Sequence, residues 1–140
     1  MTQQDKELLL RDLCARLPYG VKLKGRCDVT TLLQIRVIED RIVILTTTWC
    51  GEIKAFYKEN LDECKPYLRP MSRMTAEERE EYQKFLFPCP DYDGRVVVGV
   101  YHKDLYKLYD WLNAHHFDYR GLIEKGLAIE VTEENNPYKQ

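Results

Sequence analysis

Apolar residues recur along 3–17 at helical spacing: Leu9, Leu10, Leu13, Cys14 and Leu17 fall three and four apart, with Lys6, Glu7, Arg11 and Asp12 between them. The spacing predicts an amphipathic helix ended by Pro18 and Gly20. From Val21 to Cys27 the period changes to two. Val21, Leu23 and Gly25 alternate with Lys22, Lys24 and Arg26, the pattern of a half-buried strand with a basic outer face. Leu32–Ile38 and Arg41–Thr48 are β-branched runs joined by Glu39-Asp40, so they pair as an antiparallel hairpin although the connection lacks glycine. Both parities of Ile42 to Leu45 are apolar, which suits a central strand covered on two faces. A fourth strand is expected over 52–57, after a turn at Cys50-Gly51. Short strands in sequence suggest a small SH3-like barrel or a curled sheet, with a plain four-stranded meander as the competing geometry.

Lys65-Pro66-Tyr67-Leu68-Arg69-Pro70 cannot be helical, because each proline holds its predecessor extended. It reads as an edge strand or an extended strap. Thr75 and Glu78 form a capping box that opens a helix burying Tyr82, Phe85 and Leu86. A loop is expected over Pro88–Gly94, a strand over Arg95–Tyr101, and a helix over Lys103–His115 with Leu105, Leu108, Tyr109 and Leu112 inward. A helical turn over Tyr119–Lys125 stops at Gly126, and Leu127–Val131 is a last strand. The fold class is therefore α+β. Residues 1–70 form a helix plus a β-module, and residues 71–140 form an α+β portion packed on it, with a frayed tail at 132–140.

Length and composition narrow the function classes. At 140 residues and 44% hydrophobic, the chain can build one core of its own. No apolar stretch approaches the roughly 20 residues that span a bilayer, so no membrane partner is expected. Five cysteines, an odd number without a CxxC, read as free thiols, and with no secretory signal they point to a cytoplasmic protein. Cys14 and Cys27 look like small apolar fillers, and Cys89, between two prolines, like the exposed thiol.

Candidate chemistry concentrates in the segment from Asp110 to Gly126. His115, His116 and Asp118 are the residue types of a zinc site or general base, with His102 or Cys89 as a third ligand. Adjacent helical residues point about 100° apart, however, and no HxxxH or HExxH spacing exists. Histidines that satisfy the end of a helix explain the pair better, so no metal and no cofactor are expected. Ser72 is the sole serine and has no GxSxG elbow, and no glycine-rich phosphate loop occurs. Glu77-Glu78 and Glu80-Glu81 read as a solvated helix face. An enzyme site around His115, His116 and Asp118 is the third-ranked reading.

Trp111, His115, His116, Phe117, Asp118, Tyr119 and Arg120 combine the aromatic and arginine residues that anchor protein interfaces. They make a non-enzymatic adaptor with a protein partner the first-ranked reading. Nucleic acid ranks second: Lys22, Lys24 and Arg26 share a strand face that Arg36, Arg41 and Lys54 extend, with Trp49, Tyr19 and Tyr57 for stacking. The net charge of −2 weighs against it, as does the near balance of residues 1–70, with 12 basic and 10 acidic side chains. The pattern sets no oligomeric state.

Three segments carry a resemblance. Leu13–Val21 (LCARLPYGV), Lys65–Ser72 (KPYLRPMS) and Trp111–Ala128 (WLNAHHFDYRGLIEKGLA) are similar to a group of uncharacterised proteins encoded by gut bacteria of the Bacteroides type and their phages. The resemblance spans most of the chain and is weakest over residues 27–60. It implies a prophage or mobile-element origin and a plan in which the β-module varies while strap and C-terminal segment are retained. It brings no catalytic residue with it.

Overall fold

Helix α1 (Gln3–Arg16) starts on a capping box in which the Thr2 hydroxyl accepts from the Asp5 amide and the Asp5 carboxylate accepts from the Thr2 amide. The computed structural model describes residues 1–90, 96–100 and 104–139, with no side-chain description for 87–90 and 96–100. Leu9 and Leu13 are fully buried, as the spacing predicts, and removing each from water contributes about 1.5–3 kcal/mol. Asp12 and Arg16 on the same helix are fully buried too, which the spacing does not predict. A short 3-10 turn, Leu17–Tyr19, follows, and left-handed Gly20 turns the chain into the sheet.

Four antiparallel strands run in sequence order: β1 (Lys22–Lys24), β2 (Val29–Ile38), β3 (Arg41–Thr47) and β4 (Ile53–Tyr57). β1 is shorter than expected because the Gly25 amide donates to Asp28 O at 2.7 Å and turns the chain away. Glycine suits this turn, since a Cβ would lie 2.7 Å from the Asp28 carboxylate and 3.0 Å from the Asp28 carbonyl oxygen. Cys27 is exposed on that turn and Cys14 on α1, so neither is a core filler; among the described thiols Cys64 is the buried one. The β2–β3 hairpin has the expected two-residue turn, with Glu39 and Asp40 both at positive φ. A bulge at Leu33 shifts the register between Leu32 and Gln34.

The sheet is an open meander and does not close into a barrel. A barrel needs a further strand between β4 and β1. Instead a 3-10 turn, Lys58–Glu63, carries the chain from β4 to the far edge, where Pro66 bridges Leu23 and the Lys24 amide donates to Lys65 O. The strap then forms β5 (Tyr67–Leu68), parallel to β8 (Ile129–Glu130). The sheet is nonetheless curled enough for Asp28, beyond β1, to reach Lys54 on β4 at 3.1 Å.

One face of the sheet packs on α1. Leu23, Leu32, Ile44 and Phe56 join Leu9, Leu13, Leu61, Leu68, Leu122 and Leu127 in the main core. The cross-strand register puts Lys22, Lys24, Thr31, Arg36, Arg41, Val43, Leu45, Ile53, Ala55 and Tyr57 on the other face. On that face Lys24, Arg36 and Arg41 are exposed and Ile53 is 62% exposed, while Val43 is buried among its neighbours.

Beyond the strap, α2 (Ala76–Gln83) begins on the expected Thr75–Glu78 capping box and ends before Phe85. β6 (Leu86–Pro90) pairs with β7 (Val96–Val100) where a loop was expected from Pro88. Prolines at alternate positions lack only amides aimed at one edge, and a two-stranded ribbon has a free edge to place there. Asp91–Gly94, and the outer residues of the expected strand, Arg95 and Tyr101, lie outside the described residues. α3 (Leu105–Ala114) buries Leu108 and Leu112, while Tyr109 is exposed. These join Phe117, Trp111, Tyr82 and Phe85 in a second, aromatic cluster. The tail expected to fray bears one anchored residue: the Tyr138 hydroxyl donates to Tyr67 O at 2.7 Å and accepts from the Lys22 amide at 3.0 Å.

Candidate functional site

The segment from Trp111 to Arg120 is spent largely on holding the chain together. α3 ends where the His115 ring bonds the Trp111 carbonyl at 2.8 Å. A carbonyl can only accept, so Nδ1 carries the proton. His116 follows at φ 61, its ring stacked on Tyr138 at 3.8 Å between centroids. Burial pushes the His116 imidazole down to about 4, so it is neutral at pH 7. Both oxygens of Asp118 are taken by the amides of Leu122 and Ile123, at 2.9 Å each, which builds the turn that ends at Gly126. The imidazole and carboxylate groups therefore face separate partners. Among the described residues no three His, Cys, Asp or Glu side chains are placed to hold a metal ion. His102, and the side chain of Cys89, lie outside them.

Trp111 donates from Nε1 to Glu81 at 2.8 Å, stacks on Phe117 and Tyr82, and lies tilted against His115 at 4.3 Å. Phe117 is wholly buried, with the Arg69 guanidinium 4.3 Å from its ring centre. Arg69 also makes a two-pronged pair with Glu78, at 2.8 and 2.6 Å, and this holds the Glu78 carboxyl at about 2. Glu78 is thus part-buried against Arg69, whereas Glu77, Glu80 and Glu81 are exposed, as expected of a solvated face. Tyr119 donates to Asn113 at 2.9 Å, and Arg120 lies 3.5 Å from the buried Asp12 carboxylate. Tyr119 and Arg120 still line an open hollow of about 470 Å³ with Ala15, Tyr109 and Asn113.

The second set of residues is arranged differently. Lys22, Lys24, Arg36 and Arg41 all project from the open face of the sheet. Arg26, expected with them, leaves the sheet at the Gly25 turn and pairs with Glu63 at 2.9 Å. Lys54 projects from the α1 side and pairs with Asp28. The four strands together contain five basic side chains and no acidic one. Among the described residues Lys22, Lys24 and Arg36 make no ion pair; Arg41 lies 3.8 Å from Glu59 and covers the Tyr57 ring at 4.0 Å. Trp49, just past β3, is 92% exposed. Val43 lies on the same face yet is only 5% exposed, between Arg36 and Tyr57 in the register. Side-chain alternation is the signal that finds the face, but only after the register says which parity is covered.

Among thiols, burial pushes Cys64 up to about 12. Cys50, beside Trp49, is lowered by its 3.1 Å contact with the Thr48 hydroxyl. No helix of the described residues is long and apolar enough to cross a membrane. In comparison with known proteins, no family model, no curated protein and no solved structure matches this chain.

Proposed function

We propose that this protein is a non-enzymatic binding module of the cytoplasm that takes a polyanion on the open face of its sheet. One observation carries the reading: no outward position of the four strands is acidic, while Lys22, Lys24, Arg36 and Arg41 are all basic. The overall charge of −2 does not oppose it, because no acid falls within a strand of the sheet; Glu39, Asp40 and Glu52 lie in the turns at either end of β3. The Trp111–Arg120 cluster supports an interface less well, since its side chains already have internal partners. Three exposed unpaired thiols, Cys14, Cys27 and Cys50, suit a reducing compartment.

Chromatography on immobilised heparin tests the reading. The protein is expected to be retained at low salt, and the double variant K24E/R36E to elute earlier. Both positions are exposed, so the variant keeps its fold. Wild-type protein in the flow-through at low salt would overturn the proposal.

A further inference from the structure

The open face is not uniformly basic. Its cross-strand rows read Lys24↔Val29, Lys22↔Thr31↔Thr47↔Ile53, Gln34↔Leu45↔Ala55, Arg36↔Val43↔Tyr57 and Ile38↔Arg41. Three of its four positive charges therefore lie over β1 and β2, and Val43, Leu45, Ile53, Ala55 and Tyr57 lie over β3 and β4; Val29 and Ile38 add apolar surface to β2, and Arg41 adds a charge to β3. The two halves are about 10 Å apart, since neighbouring strands are spaced by about 4.8 Å. The apolar half is bounded by Trp49 just past β3, at the Ile53 end, and at the other end of β4 by Tyr57, whose ring carries the Arg41 guanidinium at 4.0 Å. Ile53 and Tyr57 are separated by about 13 Å along the strand.

We infer that the ligand is a single-stranded nucleic acid lying along the strands, its phosphates over Lys22, Lys24 and Arg36 and its bases over the apolar row from Trp49 to Tyr57. The inference rests on the polyanion reading above and adds the ligand's class and orientation. A lone strand has charge along one side and flat apolar rings along the other, which matches the predominance of charge over β1 and β2 and of apolar groups over β3 and β4. A duplex keeps its bases paired inside and presents phosphates on both flanks, so it would leave Trp49 and Ile53 against water. An acidic peptide matches the positive half but brings a flat ring to the other only where it carries Phe, Tyr or Trp, whereas every nucleotide carries one. Trp49 is the sharpest indicator: a 92% exposed indole gains contact area from a stacked base without any rearrangement of the protein.

Nitrocellulose filter binding of the full chain tests this with three radiolabelled probes: a 12-nucleotide oligodeoxythymidine, a 12-nucleotide oligouridine and a 12-base-pair duplex, with polyglutamate as competitor. Both single strands are expected to bind more tightly than the duplex. Contact with three phosphates makes affinity fall about 20-fold between 50 and 200 mM salt. W49A should weaken single-strand binding by at least about fivefold while leaving heparin retention and the thermal melt unchanged. Retention on heparin with equal duplex binding, no effect of W49A or preferential competition by polyglutamate would sink the single-strand inference and leave the polyanion reading standing. Failure to bind either heparin or oligonucleotide would remove both.

Discussion

At the scale of single residues, two titrating groups make the fold sensitive to acid in separate windows. His116 is held near 4, below its ordinary 6.5, because burial disfavours the imidazolium. A folded value below the unfolded one means that the unfolded chain binds protons first, so stability falls as pH drops from about 6.5 to 4. Glu78 is held near 2, below its ordinary 4.5, chiefly by its hydrogen bonds to Arg69, so its contribution is lost from about 4.5 to 2. Urea midpoints measured against pH should therefore decline in both windows. H116N keeps the left-handed backbone that asparagine tolerates and should abolish the upper decline alone, whereas E78Q should abolish the lower. A flat wild-type midpoint between pH 6.5 and 4 would refute the assignment to His116. The adjacent histidines were legible as a helix end because dipole and carbonyls act locally. Tyr138, which covers His116, is 22 residues further on, and no spacing announces it.

Among the elements, the β2–β3 hairpin was the most legible, since β-branched runs and a two-residue connection specify pairing without distant partners. Its turn is also the least well suited to its residues. Glu39 and Asp40 both adopt the left-handed region, at φ 50 and 62, where side chains with a Cβ are strained. E39N/D40G supplies the residues that a type I′ turn favours and should raise stability by about 1 kcal/mol, read as a gain of about 4 °C in Tm. No change in Tm would mean that the turn carries no such strain. The barrel expectation failed at the level of connections. Strand strength is local, but closure depends on where the next segment goes, and the Lys58–Glu63 turn sends the strap to the β1 edge. The strap was legible as extended from its prolines, but not the parallel partner it finds in β8, which lies some 60 residues away.

Across the whole molecule, a buried ionic group ties the N-terminal helix to the C-terminal segment. Arg16 donates to Asp12 at 2.7 Å and to the Phe117 carbonyl at 2.7 Å, a contact 101 residues away in sequence. Both side chains are fully buried, so losing Arg16 leaves the Asp12 carboxylate without its hydrogen-bonded partner and with Arg120 alone, 3.5 Å away. R16A should cost about 3–5 kcal/mol by chemical denaturation, and the apolar pair D12L/R16M should cost less than R16A alone. A double variant as unstable as the single would show that the carbonyl contact, not the stranded carboxylate, dominates. In sequence Asp12 and Arg16 look like ordinary surface charges of a helix, because nothing local reveals that the C-terminal segment covers them. The same applies in reverse to the open sheet face, whose charge becomes visible only when register separates it from the acids elsewhere.

The two indoles occupy opposite environments: Trp49 stands in solvent, while Trp111 is wedged among His115, Phe117 and Tyr82. The molecule thus contains its own pair of optical reporters. A collisional quencher such as iodide reaches the first and spares the second, so occupancy of the sheet and melting of the aromatic cluster can be followed separately in one unlabelled sample.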